Sequence, residues 1–197
     1  GGQNFLSLGG RDPDTGLYFS NVETYGGGYG ASSSQDGEDA IQTHRTNSKN
    51  CPCEVIEATF PMLVERYGIV PDSEGPGQFR GGLGVTREYT FKSATAFTFA
   101  TDRAVIDPWG LDGGKSPGKG VYRVVHTDGT AEDVGGKCQR EVKAGARFVL
   151  RTRGGGGWGE PFRRDPEKIR WDVVEGLLSL ERAQNVYGVV VDPASMT

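Results

Sequence analysis

The sequence predicts a mainly β domain of the α+β class, with antiparallel strands and hairpins, long glycine-rich loops and two short helices near the C-terminal end. Three observations carry this. Apolar and polar residues alternate in several short runs, the signature of half-buried strands. Thirty-two glycines in 197 residues follow no Gly-X-Y period, which demands a loop-rich chain rather than collagen. Helical spacing is confined to residues 165–188.

Residues 4–8 and 17–24 are strand-like and flank a turn containing Pro13 and Gly16, so they form a hairpin candidate. Residues 25–39 are rich in Gly and Ser and show neither period, which marks a long loop with a role in function or contact. Two β-propensity runs follow at 54–60 and 63–70, broken by Pro61. Residues 87–101 alternate, with Phe91, Phe97 and Phe99 as inward candidates. Asp128-Gly129 between residues 121–126 and 130–134 reads as a hairpin with a type I′ turn. In residues 147–152, Phe148 and Leu150 point inward while Arg147, Val149 and Arg151 point outward. Asp165 can cap a helix with Pro166 at its first position and Ile169, Val173 and Leu177 at four-residue spacing. Ser179 can cap a second helix that carries Leu180, Ala183 and Tyr187 and stops at Gly188.

A formal net charge of −4 and a pI near 5.3 provide no basic stripe, so nucleic acid is not an expected partner. No apolar run approaches the ~18 residues of a membrane span, and no signal-peptide pattern opens the chain, so no membrane is expected. The three cysteines are odd in number, and Cys51 and Cys53 are too close to bridge comfortably. A cytoplasmic location is the expectation. The chain begins Gly1-Gly2-Gln3 without methionine, as part of a longer gene product would.

Residues 154–159 formally match Gly-x-Gly-x-x-Gly, but residues 160–163 intervene before any helix. A tight, closely packed loop is therefore expected rather than a pyrophosphate cradle. Residues 110–116 resemble a phosphate-binding loop with one residue too few, and Pro117 blocks the helix that should follow. A surface turn is expected there. Cys51 and Cys53 with His44 offer soft ligands, yet their one-residue gap is short for zinc, and structural thiols are the plainer reading. The richest polar segment holds His44, Asn47, Asn50, Glu54 and Glu57. His44 could act as a general acid or base, and Asn47 and Asn50 could hold a carbonyl or oxyanion. A loop that merely hydrogen-bonds to the glycine segment explains the same composition. Arg80 and Asp102 are further polar candidates, or ion-paired turn residues.

These motifs combine from end to end. They include Gly26-Gly27-Gly28-Tyr29-Gly30, Asp36-Gly37-Glu38-Asp39, Thr43-His44-Arg45-Thr46-Asn47, Glu54-Val55-Ile56-Glu57, the run from Pro71 to Gly84, Asp102-Arg103, the run from Pro108 to Gly114, Arg153 to Gly159, and Arg164-Asp165-Pro166-Glu167. Taken together, the chain resembles the C-terminal part of the hydantoinase B/oxoprolinase family. The resemblance covers residues 1–197, β-rich to about 160 with a helical hairpin at 165–188.

It implies part of an ATP-dependent amidohydrolase complex opening a hydantoin, 5-oxoproline or other lactam-type ring through a phosphorylated intermediate. A subunit of an ATP-dependent ketone carboxylase, of the acetone or acetophenone type, is the alternative. A non-catalytic architectural subunit is another. The implied partners are an actin-like hydantoinase A-type ATPase subunit, which would carry ATP and Mg2+, and an N-terminal hydantoinase B-like portion. The divalent metal would belong to that portion or to a partner chain, with none bound by this chain alone. By the same resemblance His44, Asn47, Glu54 and Glu57 are the catalytic candidates, and Asn50, Arg80 and Asp102 the candidates for binding a small-molecule substrate.

Overall fold

The computed structural model describes residues 2–42, 46 and 48–192. Among the described residues nine strands form two sheets, and every pairing between these strands is antiparallel. The first contains β1 (Asn4–Arg11), β2 (Tyr18–Tyr25), β5 (Thr95–Thr101) and β8 (Lys137–Val142) in the order β2-β1-β5-β8. The second contains β3 (Met62–Ile69), β4 (Val85–Phe91), β6 (Val121–Val125), β7 (Ala131–Asp133) and β9 (Arg147–Arg151) in the order β3-β4-β9-β6-β7. The alternation in the sequence decides which side chains lie between the sheets. Phe97 and Phe99 of β5 meet Phe148 of β9 with ring centroids 4.9 and 5.4 Å apart. Tyr122 of β6 closes on Phe99 at 4.9 Å. Leu6, Leu8, Tyr89, Phe91, Val124 and Leu150 complete this buried layer.

The mainly β expectation holds, with differences in local structure. Residues 54–60, read as a strand, form instead part of helix α1 (Cys53–Thr59). Cys53, Ile56 and Phe60 face inward at helical spacing, a period that so short a run hides. Strand β8 carried no signal because it is polar: only Val142 is fully buried, and the strand is held by backbone pairing to β5 at the edge of the sheet. At the β6–β7 turn, Gly129 alone takes a left-handed conformation (φ 84°), so the turn is not type I′. The Asp128 carboxylate instead accepts from the backbone N–H of Thr130 at 2.9 Å.

The C-terminal helices form as their caps predict. Helix α2 (Pro166–Val174) begins at Asp165, which accepts from Glu167 N–H, and α3 (Leu180–Tyr187) begins at Ser179, which accepts from Arg182 N–H. Gly188 ends α3 with a φ of 73°. Helix α2 stops before Leu177, so it is Leu178 that joins Ile169, Val173, Ala183 and Tyr187 in a second small core.

Between the sandwich and these helices lies a layer built almost wholly of backbone. Gly28 N–H donates to Arg153 O at 3.0 Å, Gly82 to Tyr29 O at 2.8 Å, Gly155 to Gly82 O at 2.8 Å, and Gly75 to Gly155 O at 2.8 Å. The segments of this layer lie so close that a Cβ on Gly28 would overlap the carbonyl of Gly82, and one on Gly155 that of Tyr29. Glycine is required here for close approach rather than for an unusual φ.

Candidate functional site

Asn50, Glu54 and Glu57 lie on α1 and the segment leading into it, beside the β3–β4 edge of the second sheet. His44 and Asn47 fall outside the described residues. Asn50 donates through Nδ2 to the Tyr67 hydroxyl and accepts through Oδ1 from Gln42 at 3.1 Å. Gln42 is itself tied to Thr24, donating to its carbonyl at 3.1 Å. Both ends of the Asn50 amide are thus fixed. Glu57, half-buried, accepts from Val64 N–H at 2.8 Å and joins α1 to β3. Glu54 is exposed in the first turn, where a carboxylate meets the favourable end of the helix dipole.

Beneath this segment sits a buried polar cluster that the sequence reading missed. Arg87 on β4 is fully buried, and its Nη2 donates to the Cys51 carbonyl at 2.9 Å. Glu23 on β2 stands 3.5 Å from the same Nη2. The hydroxyls of Tyr25 and Tyr89 are 2.8 Å apart, and both donate to Glu23. Rings of Tyr67, Tyr89 and Tyr25 surround the guanidinium at 4.6, 5.6 and 5.9 Å. Nε and Nη1 of Arg87 have no hydrogen-bond acceptor, so those ring faces are what meets the rest of the cation. Burial, reinforced by the negative neighbour Glu23, pushes the Tyr25 and Tyr89 phenols well above their usual range. Burial likewise pushes the Cys53 thiol up, although Arg87 opposes it. A signal for the cluster did exist. Glu23 and Arg87 occupy the inward-facing register of their strands, on the same face as Tyr25 and as Val85, Tyr89 and Phe91.

Arg80 belongs to a different network, in the glycine layer. Its Nη1 and Nη2 grip Asp39 at 2.8 and 3.1 Å, and its Nε reaches Asp172 at 3.2 Å. Arg164 bonds Asp172 at 2.8 Å and Asp36 at 2.7 Å. Burial works against the charge on Arg80, but its bonds to Asp39 and the charge of Asp172 outweigh that and hold its pKa above the usual arginine value. The geometry is that of a clasp between the glycine layer and α2. Asp102 lies elsewhere again, exposed at the end of β5, where its carboxylate accepts from Gln3 N–H at 3.4 Å.

Among the described residues the converging carboxylates are already neutralised by arginines: Arg80 and Arg164 supply the positive charge between Asp36, Asp39 and Asp172. Among the described residues no group of three His, Cys, Asp or Glu side chains is placed to hold an ion. The 154–159 loop does not offer its amides to phosphate either. Those of Gly155, Gly157, Trp158 and Gly159 are donated to the carbonyls of Gly82, Lys115, Phe79 and Leu111. This matches the tight loop expected from the sequence. Residues 110–116 also form a turn, docked on that loop through Leu111 N–H to Gly157 O at 2.9 Å. The cysteines are free and partly buried.

Residues 1–161 match the family model for hydantoinase B/oxoprolinase. The chain belongs to this family. It is 38% identical over 162 residues to the 5-oxoprolinase PfmaA of Pestalotiopsis fici, a match covering 78% of this chain and 13% of that protein. The 5-oxoprolinase 1 of Arabidopsis thaliana is 35% identical over 141 residues, covering 72% of this chain and 11% of the relative. Among solved structures, the ATP-dependent caprolactamase of Pseudomonas jessenii superposes with a TM-score of 0.75 at 25% identity, over 96% of this chain and 34% of that one. Nucleotide-free acetone carboxylase gives a TM-score of 0.79 at 21% identity, over 96% of this chain and 30% of its own, a likeness of fold. The chain therefore spans about a third or less of each of these proteins. Among the described residues no helix is long and apolar enough to cross a membrane.

Proposed function

We propose that this hydantoinase B-family chain is the C-terminal portion, or a split subunit, of an ATP-dependent amidohydrolase that opens a hydantoin, 5-oxoproline or lactam-type ring. The observation that carries the reading is similarity, over most of the chain, to proteins named for cyclic amides: a 5-oxoprolinase and an ATP-dependent caprolactamase. A ring amide is a poor electrophile. Moving the γ-phosphoryl group of ATP to the amide oxygen activates the carbon. Water then adds, the protonated nitrogen leaves, and a second water releases phosphate from the acyl phosphate, so that ring, ATP and two waters give the ring-opened acid (an amino acid from a lactam, an N-carbamoyl amino acid from a hydantoin), ADP and phosphate. ATP and Mg2+ sit on an actin-like partner subunit, and the divalent metal on the N-terminal B-type portion or on a partner chain. The complex is cytoplasmic.

In this reading His44, Asn47, Glu54 and Glu57 act on the reacting ring and Asn50 helps to bind it. Glu54 supplies an exposed carboxylate, Glu57 one anchored by a backbone N–H, and Asn50 an amide fixed at both ends. Asp102 lies at a separate edge and Arg80 is committed to its aspartates, so both support the fold around the substrate rather than the chemistry itself.

The test is a substrate panel on the reconstituted complex. ATP-dependent release of the ring-opened acid from a cyclic amide is expected, whereas bicarbonate fixation onto a ketone without ring opening would replace the reading by a carboxylase. His44→Ala and Glu57→Ala should each lower turnover by about a hundredfold. Unchanged turnover in both would leave the chain an architectural subunit.

A further inference from the structure

Three tyrosines surround the Arg87 guanidinium, and they are not equivalent. Tyr25 and Tyr89 are fully buried and both donate to Glu23, so their hydroxyl protons are spent inside the fold. Tyr67 has the nearest ring, its centroid 4.6 Å from the guanidinium, yet it is 42% exposed. It reaches Arg87 through an irregularity in the sheet. Met62 lies opposite Phe91 and Val64 opposite Tyr89, all on the inward face, so strict alternation would bring Arg66 inward next. The register shifts between Val64 and Arg66, and Tyr67 comes to lie opposite Arg87 instead. Such a bulge re-aims a side chain. Here it lays the Tyr67 ring on the cation and brings its hydroxyl to Asn50.

The hydrogen bonds around Asn50 decide what that hydroxyl has left to give. The Thr24 carbonyl can only accept, so Gln42 must turn Nε2 towards it, at 3.1 Å. Gln42 Oε1 then accepts from the Thr24 hydroxyl at 2.9 Å, and Nε2 also donates to Asn50 Oδ1 at 3.1 Å. Asn50 is thereby left to present Nδ2 to Tyr67, which makes the phenol oxygen the acceptor. The phenol's own proton points elsewhere. Among the described residues no group takes it. A ring seated on a buried cation and an oxygen held by a fixed amide give a donor whose position is set before any ligand arrives.

We infer that Tyr67 is a substrate-binding residue whose hydroxyl donates a hydrogen bond to a carbonyl oxygen of the bound substrate. The inference rests on the reading above, in which the neighbouring Asn50 helps to bind the reacting ring. Arg87 is then a positioning residue: it holds the Tyr67 ring and, through Nη2, the Cys51 carbonyl next to Asn50. Tyr25 and Tyr89, closed off around Glu23, take no part in binding.

The experiment is acetylation of tyrosines by N-acetylimidazole in the B-type protein with its native companion chains, followed residue by residue by mass spectrometry. It is run without addition and with 5-oxoproline, hydantoin, caprolactam or acetone. At least one of the three cyclic amides is expected to slow the reaction of Tyr67 several-fold, while Tyr18, 86% exposed on β2, reacts as before. No slowing by any of the four compounds would overturn the inference, as would equal slowing of Tyr18. Tyr67→Phe removes only the hydroxyl, so the KM for the protecting compound should rise about tenfold with kcat nearly unchanged. An unchanged KM would also sink the proposal. Protection by acetone alone keeps the Tyr67 donor and removes the proposed ring hydrolase. A complex that opens a cyclic amide while Tyr67 stays unprotected does the reverse.

Discussion

Arg80, in the loop before β4, donates through Nε to Asp172 of α2 at 3.2 Å across 92 positions of sequence. Asp172 also receives Arg164 at 2.8 Å, so one buried carboxylate holds two buried guanidinium groups. Removing one partner of a buried ionic network leaves uncompensated charge, which typically costs about 3–5 kcal/mol. Asp172→Ala is therefore expected to lose about that much in urea unfolding. Asp165→Ala, which removes only the helix cap, should lose about 1 kcal/mol. Equal losses would mean that the clasp contributes no more than the cap.

The glycine layer makes an equally sharp comparison. A methyl group on Gly155 has to displace the Tyr29 backbone, whereas one on Gly118 meets nothing within 4 Å. Gly155→Ala is expected to lose about 3 kcal/mol or to fail to fold, the backbone version of overpacking. Gly118→Ala is expected to be neutral or to gain about 0.4–1 kcal/mol by restricting the unfolded chain. Thermal melts of the two variants decide it.

The phenols of Tyr25 and Tyr89 share Glu23 in a fully buried site, and burial holds both pKa values well above the usual tyrosine range. Alkaline titration followed by phenolate absorbance should give the same curve for the native protein and for Tyr25→Phe until the fold opens. A missing native transition in the variant would place that phenol in contact with water. Tyr89→Phe should also cost about 1–3 kcal/mol, because it removes a donor to a buried carboxylate.

Much of this architecture is legible in the residues, and the illegible parts have physical reasons. The caps Asp165 and Ser179 and the stop at Gly188 act locally, so they can be read one turn at a time. Phe97, Phe99, Phe148 and Leu150 follow from alternation alone. Helix α1 was hidden because seven residues are too few to separate a period of two from one of 3.6. Strand β8 was hidden because its pairing is made by backbone. Of the candidate site, the sequence singled out Asn50, Glu54 and Glu57, and the structure seats all three on or beside α1. It missed Glu23 and Arg87, whose meaning lies in facing inward from two different sheets. Arg80 and Asp102, also singled out by the sequence, lie in other hydrogen-bond networks than Asn50, Glu54 and Glu57, and that separation is visible only in the tertiary structure.

Glu74 makes the attachment of the last helix depend on pH. It is fully buried, accepts from Arg182 Nε at 2.7 Å and from the Tyr187 hydroxyl at 3.1 Å, and its other carboxylate oxygen has no partner. Burial raises its pKa above the ordinary 4.5, although Arg182 and Tyr187 pull the other way. The folded state therefore holds this proton more tightly than the unfolded chain does. The contribution is fully present below pH 4.5 and is lost as pH rises from there through the raised native value. Urea unfolding measured across that window should show Glu74→Gln free of this component and relatively more stable toward its upper end. Arg182→Ala, by removing the cation that eases ionisation, should extend the pH-dependent loss to higher pH. Parallel profiles for the native chain and Glu74→Gln would show that Glu74 does not couple α3 to protons.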